Sequence, residues 1–514
     1  MCKQRVIIIG SGMGGLSCGV VLAKNGYQVT VLEQAAQPGG CLQCFSRRGA
    51  RFETGMHFVG SARKGQTLDR LLQYLEIKQD ILLSPLDTDG YDVVSLEGQR
   101  FRFANGREAF IKQMATYFPH QRHQLEQYFD IVQRVAQASA LHSQTSPLRH
   151  QTSPLTTEYQ LRSVNEVIDS IITDPLLANV LAGSLPLYAA QKDKTPFSTH
   201  AFIMDFYNQS AFRVVGGSDQ IALSMVHTIE RYDGKVLVGC QVTKIVCDDR
   251  HATGVMVECG GMSLEGGEFL PCDYVISDAH PMRTLELIDS KLIRPAFRTR
   301  INSIPQTVGG FSVYLDFQDA AVPYQNYNFY GYSSPTPWGC EEYDDTSWPK
   351  GYLYMHFADY VPSPHTHPAY AKTGVIISYM QMQDVERWLG TQVGRRGEDY
   401  EEFKRQHAER LLAAVEQQFP GLRRHIRHYY TSTPLTYHDY TGAEAGGMYG
   451  VARDINTGVA CRVPHRTKIP NVLQTGQNIN SHGILGVIVG TIVTCSELLT
   501  AERIYLQILE ANKG

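Results

Sequence analysis

The amino-acid sequence predicts an α/β protein in which a Rossmann-type dinucleotide-binding domain is combined with an α+β domain built on an antiparallel sheet. Three patterns predict this class. The chain opens with an apolar strand, a glycine turn, a helix and a second strand. Strand-like segments return between residues 235 and 280 and again near residue 472. Between residues 309 and 381, apolar residues alternate as they do in half-buried antiparallel strands.

The first element is a βαβ unit with a glycine-rich turn. Gly10, Gly12 and Gly15 form G-x-G-x-x-G between the apolar run RVIIIG and a segment with helical spacing. The first glycine permits a tight turn, the second lets a pyrophosphate approach, and the third lets helix and strand pack closely. Free N–H groups and the partial positive charge at the helix N-terminus attract the phosphates. Glu33 ends the second strand, where a carboxylate can accept hydrogen bonds from the ribose hydroxyls of a dinucleotide.

Two further segments favour FAD over NAD as that dinucleotide. Pro38–Gly40 follows the second strand and would cover the pyrophosphate again. The closing segment, residues 469–499, predicts a strand, a loop and a helix that return to the cofactor. NAD dehydrogenases do not usually need either segment. A structural βα turn without a ligand is the alternative interpretation of the glycines.

The later elements divide the chain into alternating pieces of the two domains. A helix between Gly217 and Gly234 precedes strands that return to the first sheet, and a helix from Tyr400 to Phe419 follows the antiparallel strands. We predict that residues 1–75, 213–290 and 441–514 form the FAD-binding domain. Residues 76–212, mostly helical, and 291–440 are predicted to form the substrate domain. In the strand GFSVYLDF, alternation predicts one buried face: Phe311, Val313, Leu315 and Phe317.

The composition excludes several classes of protein. A chain of 514 residues with 43% hydrophobic residues can bury a large core. A formal net charge of −4 leaves no excess of cations to neutralise phosphates, so we expect no nucleic-acid partner. The 11 cysteines are scattered and odd in number, which is typical of a reducing compartment. Without a predicted signal peptide or membrane span, we expect a cytoplasmic protein, and leave open its oligomeric state and a peripheral contact with a membrane. No cluster has metal-ligand spacing, so no metal is predicted.

Several segments match a known group of flavoproteins. The glycine turn with its helix, PGGCLQCF, FETGMHFVG, TYHDYTG, GGMYG and TGQNINSHGILGV together resemble the phytoene desaturase, carotenoid isomerase and retinol saturase group. They are most similar to the retinol saturases. The specific motifs lie in residues 5–60 and 433–495, although the resemblance covers nearly the whole chain. It implies an FAD-binding fold of the amine-oxidase type, with the active site between the two domains.

The resemblance also implies a reaction. It favours an FAD-dependent oxidoreductase that saturates a carbon–carbon double bond of a hydrophobic polyene, retinol- or carotenoid-like, by hydride transfer from reduced flavin. Desaturation and redox-neutral cis–trans isomerisation are the alternatives, because all three reactions need the same flavin and the same apolar tunnel. A more distant alternative is a non-catalytic binding protein of the Rab GDP-dissociation-inhibitor type, which shares the fold. The external electron donor is left open, with NAD(P)H as one candidate.

The same motifs predict the residues around the cofactor. By the resemblance, residues 54–57 line the flavin ring. The helix that opens near Ile484 points at the pyrimidine edge of the flavin, where a helix N-terminus would stabilise negative charge. His57 and His482 are candidate proton donors to the alkene, or else structural histidines. The predicted cofactor contacts are Gly10, Gly12, Met13, Gly14, Gly15, Glu33, Gly39, Gly40, Cys41, Gly55, Met56, His57, Val242, Gly476, Gln477, Ile484, Leu485, Gly486 and Val487.

Two other patterns have two interpretations each. Cys41 and Cys44 form C-x-x-C, which is either a redox dithiol or a pair of partly buried thiols. Because the sequence shows no second G-x-G-x-x-G for a nicotinamide, the second interpretation is favoured. Residues 197–212 and 324–332 are dense in aromatic side chains, which either line a substrate tunnel or pack in the core.

Overall fold

The computed structural model describes residues 3–138, 154–260, 267–361 and 369–513. These residues form fifteen α-helices and twenty β-strands, numbered here along the chain. The helices are α1 (Met13–Lys24), α2 (Thr67–Tyr74), α3 (Arg107–Tyr117), α4 (Arg122–Gln137), α5 (Pro154–Tyr159), α6 (Val164–Asp169), α7 (Pro175–Leu181), α8 (Phe197–Gln209), α9 (Asp219–Arg231), α10 (Pro281–Leu287), α11 (Pro295–Asn302), α12 (Glu398–Gln418), α13 (Pro434–Thr441), α14 (Gly483–Cys495) and α15 (Ala501–Ala511). The strands are β1 (Arg5–Ile9), β2 (Gln28–Glu33), β3 (Cys44–Arg47), β4 (Ala50–Glu53), β5 (Val59–Gly60), β6 (Leu83–Pro85), β7 (Asp92–Leu96), β8 (Gln99–Phe103), β9 (Ala211–Val214), β10 (Lys235–Val238), β11 (Cys240–Cys247), β12 (Ala252–Cys259), β13 (Glu268–Pro271), β14 (Tyr274–Ser277), β15 (Gly309–Phe317), β16 (Asn328–Tyr332), β17 (Gly351–Phe357), β18 (Thr373–Met380), β19 (Ile426–Ser432) and β20 (Val472–Gln474).

A parallel five-stranded sheet carries the opening unit. Its order is β10-β2-β1-β14-β20, and every neighbouring pair is parallel. Because all five strands run the same way, their carboxyl ends meet at one edge of the sheet. The predicted Rossmann-type unit and both later returns of the chain to it are confirmed. The domain limits at residues 75, 212, 290 and 440 stay a prediction.

Strand β1 contacts two hydrophobic cores. Val6 and Ile8 lie in the core that includes residues of α1, α9 and α14. Ile7 and Ile9 lie in a second core with residues of β11 and β12. Successive side chains of a strand point to opposite faces, so a strand that is buried on both faces reads as a continuous apolar run.

A seven-stranded sheet forms the centre of the second domain. Its order is β19-β15-β18-β17-β16-β7-β8, and all pairs except β16–β7 are antiparallel. The predicted shared face of β15 is confirmed, because its alternate side chains share one core with α12, but the strand is buried on both faces and is not half-buried. The core residues that show this are Phe311, Val313, Leu315, Phe317, Leu411 and Val415.

Residues 76–212 are less helical than the sequence predicts. β7 and β8 form a hairpin that extends the seven-stranded sheet, with Leu96 opposite Gln99. Glu97 and Gly98 have φ of 50° and 76°, the two positive values that a two-residue type I′ turn requires. Asn-Gly and Asp-Gly are the pairs that usually mark this turn, so Glu-Gly is a weak signal. On its other edge, strand β7 of the hairpin pairs in parallel with β16, which is distant in sequence.

One pair of cysteines departs from the expectation of a reducing compartment. Cys240 and Cys259 form a disulfide between facing positions of the antiparallel strands β11 and β12. Their Cα atoms are 4.1 Å apart. Facing positions exist only once two strands have paired, so cysteine counting could not find this bond.

Candidate active site

A cavity of about 1140 Å³ lies at the carboxyl edge of the parallel sheet. Pockets for a single small ligand usually measure about 300–1,000 Å³, so this one has room for a dinucleotide and a second ligand. The cavity brings together nearly all of the predicted site residues. Those on its wall are Gly10, Gly12, Met13, Gly14, Glu33, Gly39, Gly40, Cys41, Gly55, Met56, His57, Val242, Gly476, Gln477, His482, Ile484, Leu485, Gly486 and Val487.

Gly15 is the predicted cofactor contact that does not line the cavity. It lies in the first turn of α1, where a Cβ would fall far inside the contact distance of the Gly10 carbonyl oxygen. Gly10 itself has φ of 93°, which favours glycine. Gly15, the third glycine of the motif, therefore permits close packing of the turn against the helix. The neighbouring residues of the turn, and not Gly15, face the cavity.

The start of α1 can receive an anion. Gly12 is the N-cap of this helix, makes no side-chain cap, and is followed by a first turn without acidic residues. The N–H groups of such a helix start and the helix dipole favour a phosphate. A Cβ on Gly14 would lie 2.7 Å from the backbone nitrogen of Gly476, so the turn after β20 closes on the same point. A side chain added at Gly12 or Gly14 would fill the space at the start of α1 that can receive the anion.

Glu33 is held in a fixed position at the cavity wall. Its Oε2 accepts hydrogen bonds from the Ser11 N–H at 2.9 Å and the Ser11 hydroxyl at 2.7 Å. Its Oε1 accepts from the Ala35 N–H at 2.8 Å. A carboxylate has about four acceptor positions, so it can still accept a bond from a ribose hydroxyl. Contact with the ribose stays a prediction.

The closing segment has the predicted strand, loop and helix. β20 leads to α14, whose N-cap is His482. In α14, the Thr491 hydroxyl donates to the carbonyl oxygen of Gly14 at 3.3 Å, which joins positions 477 residues apart. The glycine turn and the closing segment therefore form one wall of the cavity.

Asp278 is a site residue that the sequence analysis missed. It follows β14 directly, and a Cβ on Gly12 or on Gly14 would be 2.5 Å from one of its carboxylate oxygens. Burial raises the pKa of this carboxyl to about 7; a hydrogen bond from the Gly15 N–H opposes the shift, and the charge of Glu33 adds to it. A signal was available, because residues that follow parallel strands line the ligand-binding edge of such sheets.

Another part of the wall is aromatic. Phe202, Phe206 and Tyr207 of α8 line the cavity together with Tyr437 of α13. The first aromatic segment therefore divides between its two interpretations: these three residues line the cavity, and Phe197 packs in a core. The second segment packs in the core instead, where Phe329 is fully buried.

Comparisons with known proteins agree with this geometry. The family model described as flavin containing amine oxidoreductase matches residues 13–494. The chain belongs to this family. FAD is its cofactor, as the sequence predicts, and it is an enzyme of the oxidoreductase class.

Individual relatives refine this assignment. The chain is 27% identical to "All-trans-retinol 13,14-reductase" of Rattus norvegicus, over 98% of this chain and 86% of that protein. It is 24% identical to "Prolycopene isomerase 1, chloroplastic" of an Oncidium hybrid cultivar, over 89% of this chain and 77% of that protein. A crystal structure of an oxidoreductase from Methanosarcina mazei has a TM-score of 0.65 and 16% identity, covering 96% of this chain and 100% of that one. The resemblance to retinol saturases and carotenoid isomerases is confirmed, and the structural likeness confirms the fold.

The two candidate proton donors of this flavoprotein have different surroundings. Nδ1 of His57 lies 3.4 Å from Oε2 of Glu53, and both side chains are buried. The ring of His482 lies 4.9 Å from that of Tyr449, and burial lowers the pKa of His482 to about 4. At neutral pH, His482 is therefore an uncharged imidazole without an acidic proton to transfer. The geometry favours His57, and both catalytic roles stay predictions.

The C-x-x-C cysteines are free thiols in different environments. Cys41 lines the cavity, and burial raises its pKa to about 11. The Sγ atom of Cys44 lies 3.7 Å from the hydroxyl oxygen of Ser218. Redox dithiols depend on a reactive thiolate, which is scarce at such a pKa. The interpretation as partly buried thiols is therefore the better supported one.

Proposed function

We propose that this flavoprotein saturates one carbon–carbon double bond of a hydrophobic polyene, retinol- or carotenoid-like. One observation carries the proposal: a single cavity joins the glycine turn at α1 to the aromatic wall of α8 and α13. A dinucleotide on the glycine turn leaves the aromatic part for an apolar ligand. The names of the rat and Oncidium relatives, a retinol reductase and a prolycopene isomerase, support a polyene in that place.

The protein has three tasks in this reaction. When bound, FAD supplies the hydride chemistry. Phe202, Phe206 and Tyr207 of the aromatic wall exclude water and hold the alkene, which must approach the hydride donor to ~3–3.5 Å. His57, paired with Glu53, supplies a proton to the other alkene carbon.

Desaturation and cis–trans isomerisation are the second candidates. The similarity to a prolycopene isomerase favours isomerisation, and both reactions would use the same cavity. The non-catalytic binding protein is no longer supported, because the chain belongs to an oxidoreductase family.

The mass of the product separates these reactions. FAD-loaded protein is incubated anaerobically with dithionite and all-trans-retinol or a carotenoid; in a parallel reaction, a quinone replaces dithionite and serves as the electron acceptor. We expect a product with two added hydrogens in the first reaction. Loss of two hydrogens with quinone would indicate desaturation, and an isomer of unchanged mass isomerisation; either would contradict saturation. As a control, Leu353→Trp fills the cavity wall and should stop turnover while the flavin spectrum persists.

We also propose that the substrate enters from a membrane surface. Leu161 and Tyr440 line the cavity and are each 61% exposed, so its wall includes two large side chains that reach solvent. No helix in the described ranges is both long and apolar enough to span a membrane.

Replacing both Leu161 and Tyr440 with serine should weaken cosedimentation of the protein with phosphatidylcholine vesicles several-fold. Leu506→Ser, at a position 57% exposed and away from this wall, should not. Equal binding by all three proteins would refute this entry route. A cytoplasmic location stays a prediction.

A further inference from the structure

Asp278 occupies the junction of the two segments that form the dinucleotide side of the cavity. Its carboxylate lies against Gly12 and Gly14 of the first segment, and a Cβ on Gly476 of the second would collide with the same oxygens. These three glycines leave room for the carboxylate, and the carboxylate also lines the cavity. The residue is therefore placed where the start of α1 would receive the pyrophosphate of FAD.

The groups that face Asp278 do not neutralise it. From β2 it faces the carboxylate of Glu33, and from the turn at residues 40–42 it faces the thiol of Cys41. From α1 it receives the Gly15 N–H, and the glycines of both turns present only backbone atoms. The start of one helix carries only about half an elementary charge, which is too little to balance a carboxylate and a pyrophosphate together.

We propose that the protein holds FAD with Asp278 in its protonated form, so that FAD binding takes up one proton from solvent wherever Asp278 is ionised in the free protein. The neutral carboxyl removes the repulsion between two anions at the start of α1. Its O–H can then donate a hydrogen bond to a phosphate oxygen, which an ionised carboxylate cannot do. Asp278 is thus a positioning residue for the cofactor, and this role does not depend on which polyene is the substrate.

The direction of the pH dependence follows from the burial of this residue. Without FAD, burial has already raised the pKa of Asp278 to about 7, and a nearby pyrophosphate raises it further. The protonated form that binds FAD is abundant below pH 7 and is lost above it. Affinity for FAD should therefore fall as the pH rises through about 7. Because the pKa of Cys41 is about 11, this thiol does not titrate in the same range.

Dilution of the FAD-loaded protein tests the proposal. The FAD released at each dilution is measured by its fluorescence, and the dissociation constant is obtained at several pH values. For one proton and a pKa of about 7, we expect binding about thirty-fold weaker at pH 8.5 than at pH 6. In a weakly buffered solution at pH 8, an indicator dye should report about one proton liberated for each FAD that dissociates.

Two variants identify the group that takes up the proton. Asp278→Asn keeps the shape of the side chain and is neutral at every pH, so its affinity should stay nearly constant from pH 6 to pH 8.5. Asp289→Asn removes a carboxylate that is 82% exposed on the surface and should keep the wild-type dependence. Unchanged wild-type affinity across this range, or a full dependence in Asp278→Asn, would overturn the proposal. If Asp278→Asn does not fold, a wild-type proton count near zero at pH 8 would still overturn the proposal.

Discussion

Replacing Gly15 with alanine is expected to give a destabilised protein that does not retain FAD. The new Cβ would collide with the carbonyl oxygen of Gly10, a backbone atom of the turn that cannot rotate away. Overpacking usually costs about 1–3 kcal/mol, and a clash between backbone elements belongs at or above the upper end. The lowered midpoint of urea unfolding and the loss of flavin absorbance after gel filtration would measure these effects.

A second glycine supplies the control for this substitution. At Gly260 the backbone φ is not in the left-handed region, and among the described residues other than its chain neighbours the nearest heavy atom to an added Cβ is 3.9 Å away. Gly260→Ala should therefore keep both its flavin and its stability. A yellow Gly15→Ala protein with wild-type stability would show that the turn and α1 are not packed as described.

Replacing His57 with glutamine should reduce kcat by about 10²–10⁴-fold, the range that general acid catalysis contributes. The reason is the position of the ring, which lines the cavity and has Nδ1 3.4 Å from Oε2 of Glu53. The flavin spectrum should persist, because the cradle at α1 is unchanged. Stopped-flow oxidation of the reduced flavin by the polyene measures the effect.

His482→Gln is the matched control for His57. Since the pKa of His482 is lowered to about 4, this ring carries no acidic proton at neutral pH. Its replacement should change kcat much less than that of His57. If the two variants are equally active, His57 is not the proton donor; if His482→Gln is the slower one, the assignment of the two histidines must be reversed.

Local sequence patterns predicted those parts of the site that each lie within one continuous segment of the chain. The glycine turn, Glu33 and the closing segment combine residue types and spacings with a direct physical meaning, and all of them lie at the cavity. The alternation in β15 likewise identifies the side chains that share one face, because the period of a strand is independent of its partners, but it does not show that the other face is buried too.

Features that depend on how separate strands pair were missed. Asp278 looks like an ordinary residue after an apolar strand until β14 is placed between β1 and β20. The β7–β8 hairpin is completed by β16, and the Cys240–Cys259 bond needs the pairing of β11 with β12. The contacts of Asp278 and the β7–β16 pair join segments far apart in sequence, whereas Cys240 and Cys259 are only 19 residues apart but face each other only in the register of the paired strands.

The hydrogen bond from Thr491 to Gly14 also bears on how the protein is made. A nascent chain leaves the ribosome from its amino-terminal end, and Thr491 emerges 477 residues after Gly14. For most of translation, therefore, the glycine turn has been made but the closing segment that completes the coenzyme site has not. We expect newly made protein to take up its coenzyme only after α14 has emerged, and to depend until then on chaperones that shield its exposed apolar surface.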